Sequence, residues 1–310
     1  MKNYYQDNDT KIYNCDNMAL LTSLPDDHIN LVYCDILYNT GKVFSDYNDN
    51  LGSPKEAVKW YRPRIEEMKR VLTRDGSIFI HCNWRMDSYM RILMDEVFGE
   101  ANFHNRIYRK HSEERGFYKN FDSQMDIILY YLKDPANFTF NQQRNDKPQI
   151  VPLFEDGLIE QRNTVMQGID LRAQNKHWLV SQPQLEKMRA DGELRIIDGL
   201  PYRFSTVQPI GNLWDSEQMF DTYNRNTPSG AYDTPKPEAC LERIIKTCSN
   251  PNDRVADFFM GGGTTAVVAK KLGRQFIGCD INEKSCEVTT QKLKSVTFGC
   301  DLNKPYHFEK

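Results

Sequence analysis

Asp253 to Asn282 reads as one strand–turn–helix–strand unit, and few folds can accommodate it. Arg254 to Phe259 is a short, mostly apolar run of strand character that breaks into Gly261, Gly262 and Gly263. Thr264 or Thr265 can then cap a helix over Ala266 to Leu272, which Gly273 ends. Gln275 to Cys279 is a second strand, stopping at Asp280. Glycines in such a turn let backbone N–H groups approach a ligand, and an acid about 20 residues on can grip a pair of ribose hydroxyls. The dinucleotide fingerprint wants a third glycine three residues after the second; Ala266 stands there and is small. The turn by itself therefore leaves NAD open, and the surrounding chain must decide.

That chain alternates. Lys11 to Tyr13 is a brief strand, and Asp16 or Asn17 can cap a helix through Met18 to Leu24. Ile29 to Cys34 is an apolar strand ending on Asp35, followed by a polar loop over Lys42 to Gly52. Pro54 opens a helix to about Leu72 with Ala57, Val58, Tyr61, Ile65 and Met68 on one side. Ser77 to Cys82 is a strand, Ser88 to Phe98 an amphipathic helix stopped by Gly99, and Asn102 to Tyr108 and Met125 to Leu132 are two further strands. The order predicts a doubly wound α/β sheet whose last pair is antiparallel. From Asp134 to Gln208 the alternation stops, with one helix at Gln184 to Asp191 and a hairpin of Glu193 to Ile197 with Tyr202 to Ser205. Pro237 then starts a helix over Glu238 to Cys248. The reading is a first half over 1–133, an inserted small domain over 134–208 and a ligand-binding half over 209–310. Such sheets bind ligands at the carboxyl ends of strands, at the switch point, so Asp35 and Gly261 are expected at one edge.

Bulk properties narrow the class. With 310 residues, 39% of them hydrophobic, the chain can bury a real core. No apolar run approaches the ~20 residues that span a bilayer, and the first residues lack a signal-peptide core. The 8 cysteines show no zinc spacing. The expectation is a reduced, cytoplasmic protein with no membrane and no metal. The net charge of −3 means that a nucleic-acid partner needs a local basic patch.

Three motifs in order, Asp35-Ile36-Leu37-Tyr38-Asn39-Thr40-Gly41, then Thr234-Pro235-Lys236-Pro237, then Asp257-Phe258-Phe259-Met260-Gly261-Gly262-Gly263-Thr264-Thr265, make nearly the whole chain resemble the β group of amino-directed DNA methyltransferases, with a likeness to type III modification subunits. Asp35-Ile36-Leu37-Tyr38-Asn39-Thr40-Gly41 stands where that family has Asp-Pro-Pro-Tyr-Asn-Thr-Gly. Tyr232-Asp233-Thr234-Pro235-Lys236-Pro237 is similar to its Thr-Gln-Lys-Pro motif, and Asp257-Phe258-Phe259-Met260-Gly261-Gly262-Gly263-Thr264-Thr265 to its Asp-Pro-Phe-x-Gly-x-Gly-Thr-Thr. The catalytic motif precedes the insert and the cofactor motif comes last, which is that group's circularly permuted order.

The resemblance implies a Rossmann-like fold, S-adenosyl-L-methionine as cofactor and double-stranded DNA as substrate. Asp257, Phe259, Gly261 and Gly263 would line the methionine and sulfonium end, with Phe258 and Thr264 in the same turn. Asp280 would hold the ribose hydroxyls, Asp16 would lie near the adenine ring, and Thr234 and Lys236 would support the methionine carboxylate. Asp16 reads equally well as a plain helix cap. The Asp35 carboxylate and the Ile36 carbonyl would each accept one N–H of an exocyclic amine, and Tyr38 would stack on a base flipped out of the duplex.

Both prolines of the catalytic motif are replaced, by Ile36 and Leu37, which loosens the turn that aims the carbonyl. Arg106, Arg109, Lys110, Arg115 and Lys119 form the best local phosphate patch, interrupted by Glu113 and Glu114. The leading expectation is an adenine-N6 methyltransferase serving restriction–modification, its sequence specificity residing in the insert. Alternatives are cytosine-N4 transfer, a weakly active or non-catalytic DNA-binding subunit, and methylation of RNA or a protein amide, against which the permuted order and the insert speak. A homodimer and a cognate restriction or recognition subunit both stay open as partners.

Overall fold

The computed structural model describes residues 1–43, 48–111, 123–145, 149–160, 162–205, 208–215, 219 and 236–301. The chain runs through β1 (Lys2–Gln6), β2 (Thr10–Asn14), α1 (Asn17–Leu21), β3 (Ile29–Asp35), α2 (Pro54–Val71), β4 (Leu72–Cys82), α3 (Asp87–Phe98), β5 (Phe103–Lys110) and β6 (Met125–Leu132). It continues into β7 (Gln149–Pro152), α4 (Gln182–Ala190), β8 (Leu194–Ile197) and β9 (Leu200–Ser205). It returns as β10 (Leu213–Trp214), α5 (Glu238–Cys248), β11 (Arg254–Asp257), α6 (Thr264–Lys271), β12 (Gln275–Asp280) and α7 (Glu283–Lys294).

Two compact units result, Met1–Gln142 with the segment that resumes at Gly211, and Gln143–Ile210. The small unit thus begins later than the expected residue 134. Residues 134–142 belong to the large unit, where Arg74 Nε donates to Asp134 (2.8 Å) and Asn141 N–H to the Thr247 carbonyl (2.7 Å).

Nine strands of the large unit form one sheet in the order β1-β2-β12-β11-β3-β4-β6-β5-β10. Neighbours from β2 to β4 are parallel, while β6 is antiparallel to both β4 and β5. β3 is buried on both faces, and its sequence Ile-Asn-Leu-Val-Tyr-Cys-Asp suits the interior of a parallel sheet. Helices α1, α2 and α3 supply one apolar layer through Leu20, Tyr61, Ile65, Met68, Met90 and Leu93. Ser53 and Glu56 form a capping box that starts α2, and Gly99, at φ 98°, ends α3. β3 and β11 come from opposite ends of the sequence yet lie side by side, pairing Leu31 with Val255 and Val32 with Ala256. This is the switch point of a doubly wound, permuted Rossmann-like sheet.

Three local features are not legible in the sequence. β1, too polar to read as a strand, pairs antiparallel with β2 at the sheet edge. α6 is capped by Gly263 in the left-handed region (φ 75°), not by Thr264 or Thr265. The polar loop after Asp35 is held by Asp49, 2% exposed, whose carboxylate accepts the N–H groups of Asn39 and Thr40 (both 2.9 Å).

In the small unit, β7, β9 and β8 make an antiparallel three-stranded sheet, and Phe154–Asp156 pairs with Lys176–Trp178. Leu153, Met166, Leu171, Trp178 and Leu185 form its own core. The expected helix and hairpin are present as α4 and β8–β9, but most of its strands are too short to leave a period in the sequence. Among the described residues no helix is long and apolar enough to cross a membrane. Nor does any group of three His, Cys, Asp or Glu able to hold a metal ion occur among them.

Candidate active site

Parallel pairing brings the carboxyl ends of β2, β12, β11, β3 and β4 to one edge. There the chain opens a cavity of about 1400 Å³, bordered by the glycine turn, Asp16, Asp280, Asp35 and Tyr38. All of its described lining residues belong to the large unit.

The glycine turn is rigid for local reasons. Asp257, 2% exposed, accepts the Phe259 N–H through Oδ1 (3.0 Å) and the Thr265 hydroxyl through Oδ2 (2.7 Å). Burial pushes its carboxyl up to about 7 despite those two donors. Asp280 Oδ2 accepts the Gly261 N–H and Oδ1 the Asn282 N–H, both at 2.8 Å, and burial raises its pKa as well. Asp280 therefore ties the turn to the end of β12 while still bordering the cavity; a carboxylate retains further lone pairs for a ligand. Gly263 does not border the cavity; a side chain there would collide with Thr289. Phe258, 2% exposed, is a core side chain, whereas the partly exposed Phe259 faces Trp60 and Tyr61 with ring centroids at 6.1 and 6.2 Å. Thr264 lines the cavity.

Asp16 is a helix cap that also borders the cavity, its Oδ1 accepting the Met18 N–H (2.8 Å) at the start of α1. Arg64 holds it at 3.2 Å, also binds Asn17 Oδ1 (2.8 Å), and lies over the Trp60 ring at 3.5 Å.

Both oxygens of Asp35 are engaged. Tyr38 Oη donates to Oδ1 (2.9 Å), and Lys236 Nζ sits 2.7 Å from Oδ2. The family resemblance puts Lys236 at the methionine carboxylate; the structure places it on the Asp35 carboxylate and 5.4 Å from the Tyr38 ring centroid. Thr234 lies outside the described residues. Ile36 is 3% exposed, packed in the core, and its N–H donates to the His81 carbonyl (3.1 Å). The Leu37 carbonyl accepts from Tyr61 Oη (3.0 Å). The turn without prolines is thus fixed by a hydrogen bond that proline could not make at position 36.

Behind Asp35 lies a buried polar row that sequence reasoning missed. Asp126 opens β6 beside Arg109 of β5, and Arg109 Nη2 donates to Asp126 Oδ2 (2.6 Å). His81 Nε2 is 3.2 Å from the same oxygen, and His81 Nδ1 is 2.7 Å from Tyr33 Oη. Burial lowers the His81 pKa, against the opposing pull of Asp126 and Asp35, and favours the neutral ring. Burial alone would raise Asp126, but the His81 hydrogen bond and the nearby Lys236 and Arg109 charges hold it well below the usual carboxylate range. Tyr38 Oη also lies 3.4 Å from Asp126 Oδ2, and its pKa is driven up by burial and then by Asp35 and Asp126. The signal was a histidine and an aspartate inside strands otherwise apolar, Ile78-Phe79-Ile80-His81 and Met125-Asp126-Ile127-Ile128.

The basic patch is corrected by strand alternation. Ile107 and Arg109 face inward; Arg109 is 0% exposed and its Nη1 donates to the Met219 carbonyl (2.7 Å), so it is no phosphate ligand. Arg106 sits 3.3 Å from Asp87, and Lys110 is half-buried. Arg115 and Lys119 lie outside the described residues.

Comparison with known proteins places this geometry. The family model for DNA methylases of the N6/N4 class matches residues 29–291. The type II methyltransferase M1.MboII of Moraxella bovis is 54% identical over 88% of this chain and 92% of its own length. The DNA adenine methyltransferase YhdJ of Escherichia coli is 29% identical over 90% and 80%. Among solved structures, the cytosine-N4-specific PvuII DNA methyltransferase superposes with a TM-score of 0.60 at 14% identity, over 94% of this chain and 88% of that one. The M1.HpyAVI–SAM complex does so with a TM-score of 0.53 at 18% identity, over 92% and 98%. At those identities the two structures speak for the fold. The chain belongs to the N6/N4 DNA methylase family.

Proposed function

We propose that this methyltransferase uses S-adenosylmethionine to methylate N6 of an adenine rotated out of the DNA duplex. The observation that carries the reading is that Asp35 and Tyr38 open onto the same cavity as the glycine turn. The residues suit the cofactor. The turn is held in left-handed glycine geometry at Gly261 and Gly263, acids border it at Asp16 and Asp280, and the apolar Ile281 is 72% exposed beside Asp280. Asp280 would take the ribose hydroxyls, Asp16 the adenine side, and the Phe259–Thr264 turn the methionine end. The M1.HpyAVI structure of the same fold, solved as a SAM complex, supports the choice of cofactor.

Bound there, the cofactor supplies an electrophilic methyl group. The chain's own task is to make a poor nucleophile attack it. The lone pair of an exocyclic amine is delocalised into its ring, and Asp35 together with the Ile36 carbonyl would each accept an N–H and draw the nitrogen toward tetrahedral geometry. At Asp35 the amine would compete with the Tyr38 hydroxyl on Oδ1 and with Lys236 on Oδ2, and the Tyr38 ring would stack on the extruded base. Adenine is favoured by the tyrosine that ends the motif and by the relative named a DNA adenine methyltransferase. The compact Gln143–Ile210 unit is proposed to read the target sequence.

Digesting plasmid methylated by the protein and separating its nucleosides by mass spectrometry tests the reading, with N6-methyladenine expected. N4-methylcytosine would reassign the base, and unmodified DNA would make the chain a non-catalytic subunit.

A further inference from the structure

Tyr38 Oη lies between two carboxylates, 2.9 Å from Asp35 Oδ1 and 3.4 Å from Asp126 Oδ2. We infer that Asp126 is a positioning residue that receives the Tyr38 hydroxyl when the substrate amine claims Asp35. This rests on the proposed role of Asp35.

An amine N–H arriving at Asp35 Oδ1 competes there with the Tyr38 hydroxyl, while Lys236 holds Oδ2. A buried hydroxyl left without an acceptor opposes the step that displaces it. Asp126 removes the conflict because it stands at the alternative end of the same hydroxyl's reach. A small rotation of the O–H, with little movement of the ring, exchanges one carboxylate for the other.

The surroundings of Asp126 fit such a fixed acceptor. It is 5% exposed, and Arg109 Nη2 and His81 Nε2 clamp its Oδ2 from two strands. Arg109, 0% exposed, is anchored in turn on the Met219 carbonyl. His81 is held by Tyr33 at Nδ1 (2.7 Å), with Nε2 3.2 Å from Asp126 Oδ2, while its Nδ1 stays 3.9 Å from Asp35 Oδ1. The clamp keeps the oxygen in place while the hydroxyl comes and goes.

A double-mutant cycle on single-turnover methyl transfer tests this. Asp126→Ala and Asp126→Asn are each measured in the parent and in a Tyr38→Phe background, and each is compared with its own background. With the hydroxyl present, Asp126→Ala should slow transfer about tenfold to a hundredfold. Asp126→Asn, which keeps an uncharged acceptor, should fall roughly threefold or more yet remain faster than Ala. In the Tyr38→Phe background both effects should shrink to within about twofold, because no hydroxyl needs an acceptor. Cofactor affinity should be unchanged throughout. Equal losses in both backgrounds would make Asp126 merely structural and overturn the inference. If the Ala variant does not fold, the Asn pair decides alone, and a rate equal to the parent's or a loss that persists without the hydroxyl overturns it. Failure of Asp35 itself is read separately, since Asp35→Ala abolishes transfer only if the underlying reading is right.

Discussion

Restoring proline at the two departures from the family motif should affect them differently. Position 36 is the informative one. Ile36→Pro deletes the N–H that donates to the His81 carbonyl at 3.1 Å, within a residue 3% exposed. Leaving that carbonyl without its donor costs about 1–3 kcal/mol. The smaller ring also gives up roughly one methylene of buried surface, about 0.8 kcal/mol. The reduced entropy of the unfolded chain offsets about 0.4–1 kcal/mol of this. The net is a loss of about 1–3 kcal/mol, or roughly 3–10 °C in Tm for a unit of this size. Leu37→Pro should be mild: among the described residues the Leu37 N–H has no partner, and its carbonyl, which accepts from Tyr61, survives the change. Thermal unfolding followed by circular dichroism, with single-turnover transfer on the same samples, checks both. An Ile36→Pro variant as stable and as fast as the parent would refute the idea that this turn has adapted to its own side chains.

Arg109→Met should lower stability by about 3–5 kcal/mol, because it strands a buried Asp126 carboxylate. It should also leave the salt dependence of DNA binding unchanged, which denaturant melts and binding isotherms at several salt concentrations would show. The Asp257 carboxyl, raised from the ordinary 3.8 to about 7, is protonated in the folded state over a range where the unfolded chain ionises. Its contribution to stability is thus full below the lower value and declines as pH rises toward the upper one. Melting temperatures taken across that window should fall with pH in the parent relative to Asp257→Asn. Asp280→Ala should weaken S-adenosylmethionine by about 1–3 kcal/mol through lost charge-assisted hydrogen bonds, and calorimetry would read it.

The parts of this fold that can be read in the sequence are those with a strong local period or a special backbone residue. Met125–Leu132 and Glu238–Cys248 fall at the expected bounds, and Gly99 and Gly273 end their helices as expected. β1 is hidden because an edge strand buries little and carries little hydrophobic signal. The cap of α6 is misplaced because Thr265 finds a stronger partner in Asp257, eight residues back in sequence and brought close only by the turn. Arg109 and Arg106 look alike in sequence, but on a strand they face opposite sides, and the partner strand's Asp126 helps make burial of Arg109 tolerable. The motif residues of the site are legible one by one. The row behind them, His81, Asp126 and Tyr33, is not, since it is assembled from β3, β4 and β6 by register alone.

The central claim is that Asp35 serves the amine during transfer and does not hold the cofactor. Asp35→Ala protein, saturated with S-adenosylmethionine and mixed with target DNA in a single turnover, tests it most directly, with cofactor affinity measured on the same preparation. The expected result is parent-like affinity and no detectable methylated nucleoside. Transfer at a rate close to the parent's would contradict it and reduce Asp35 to a structural acid at the end of a strand.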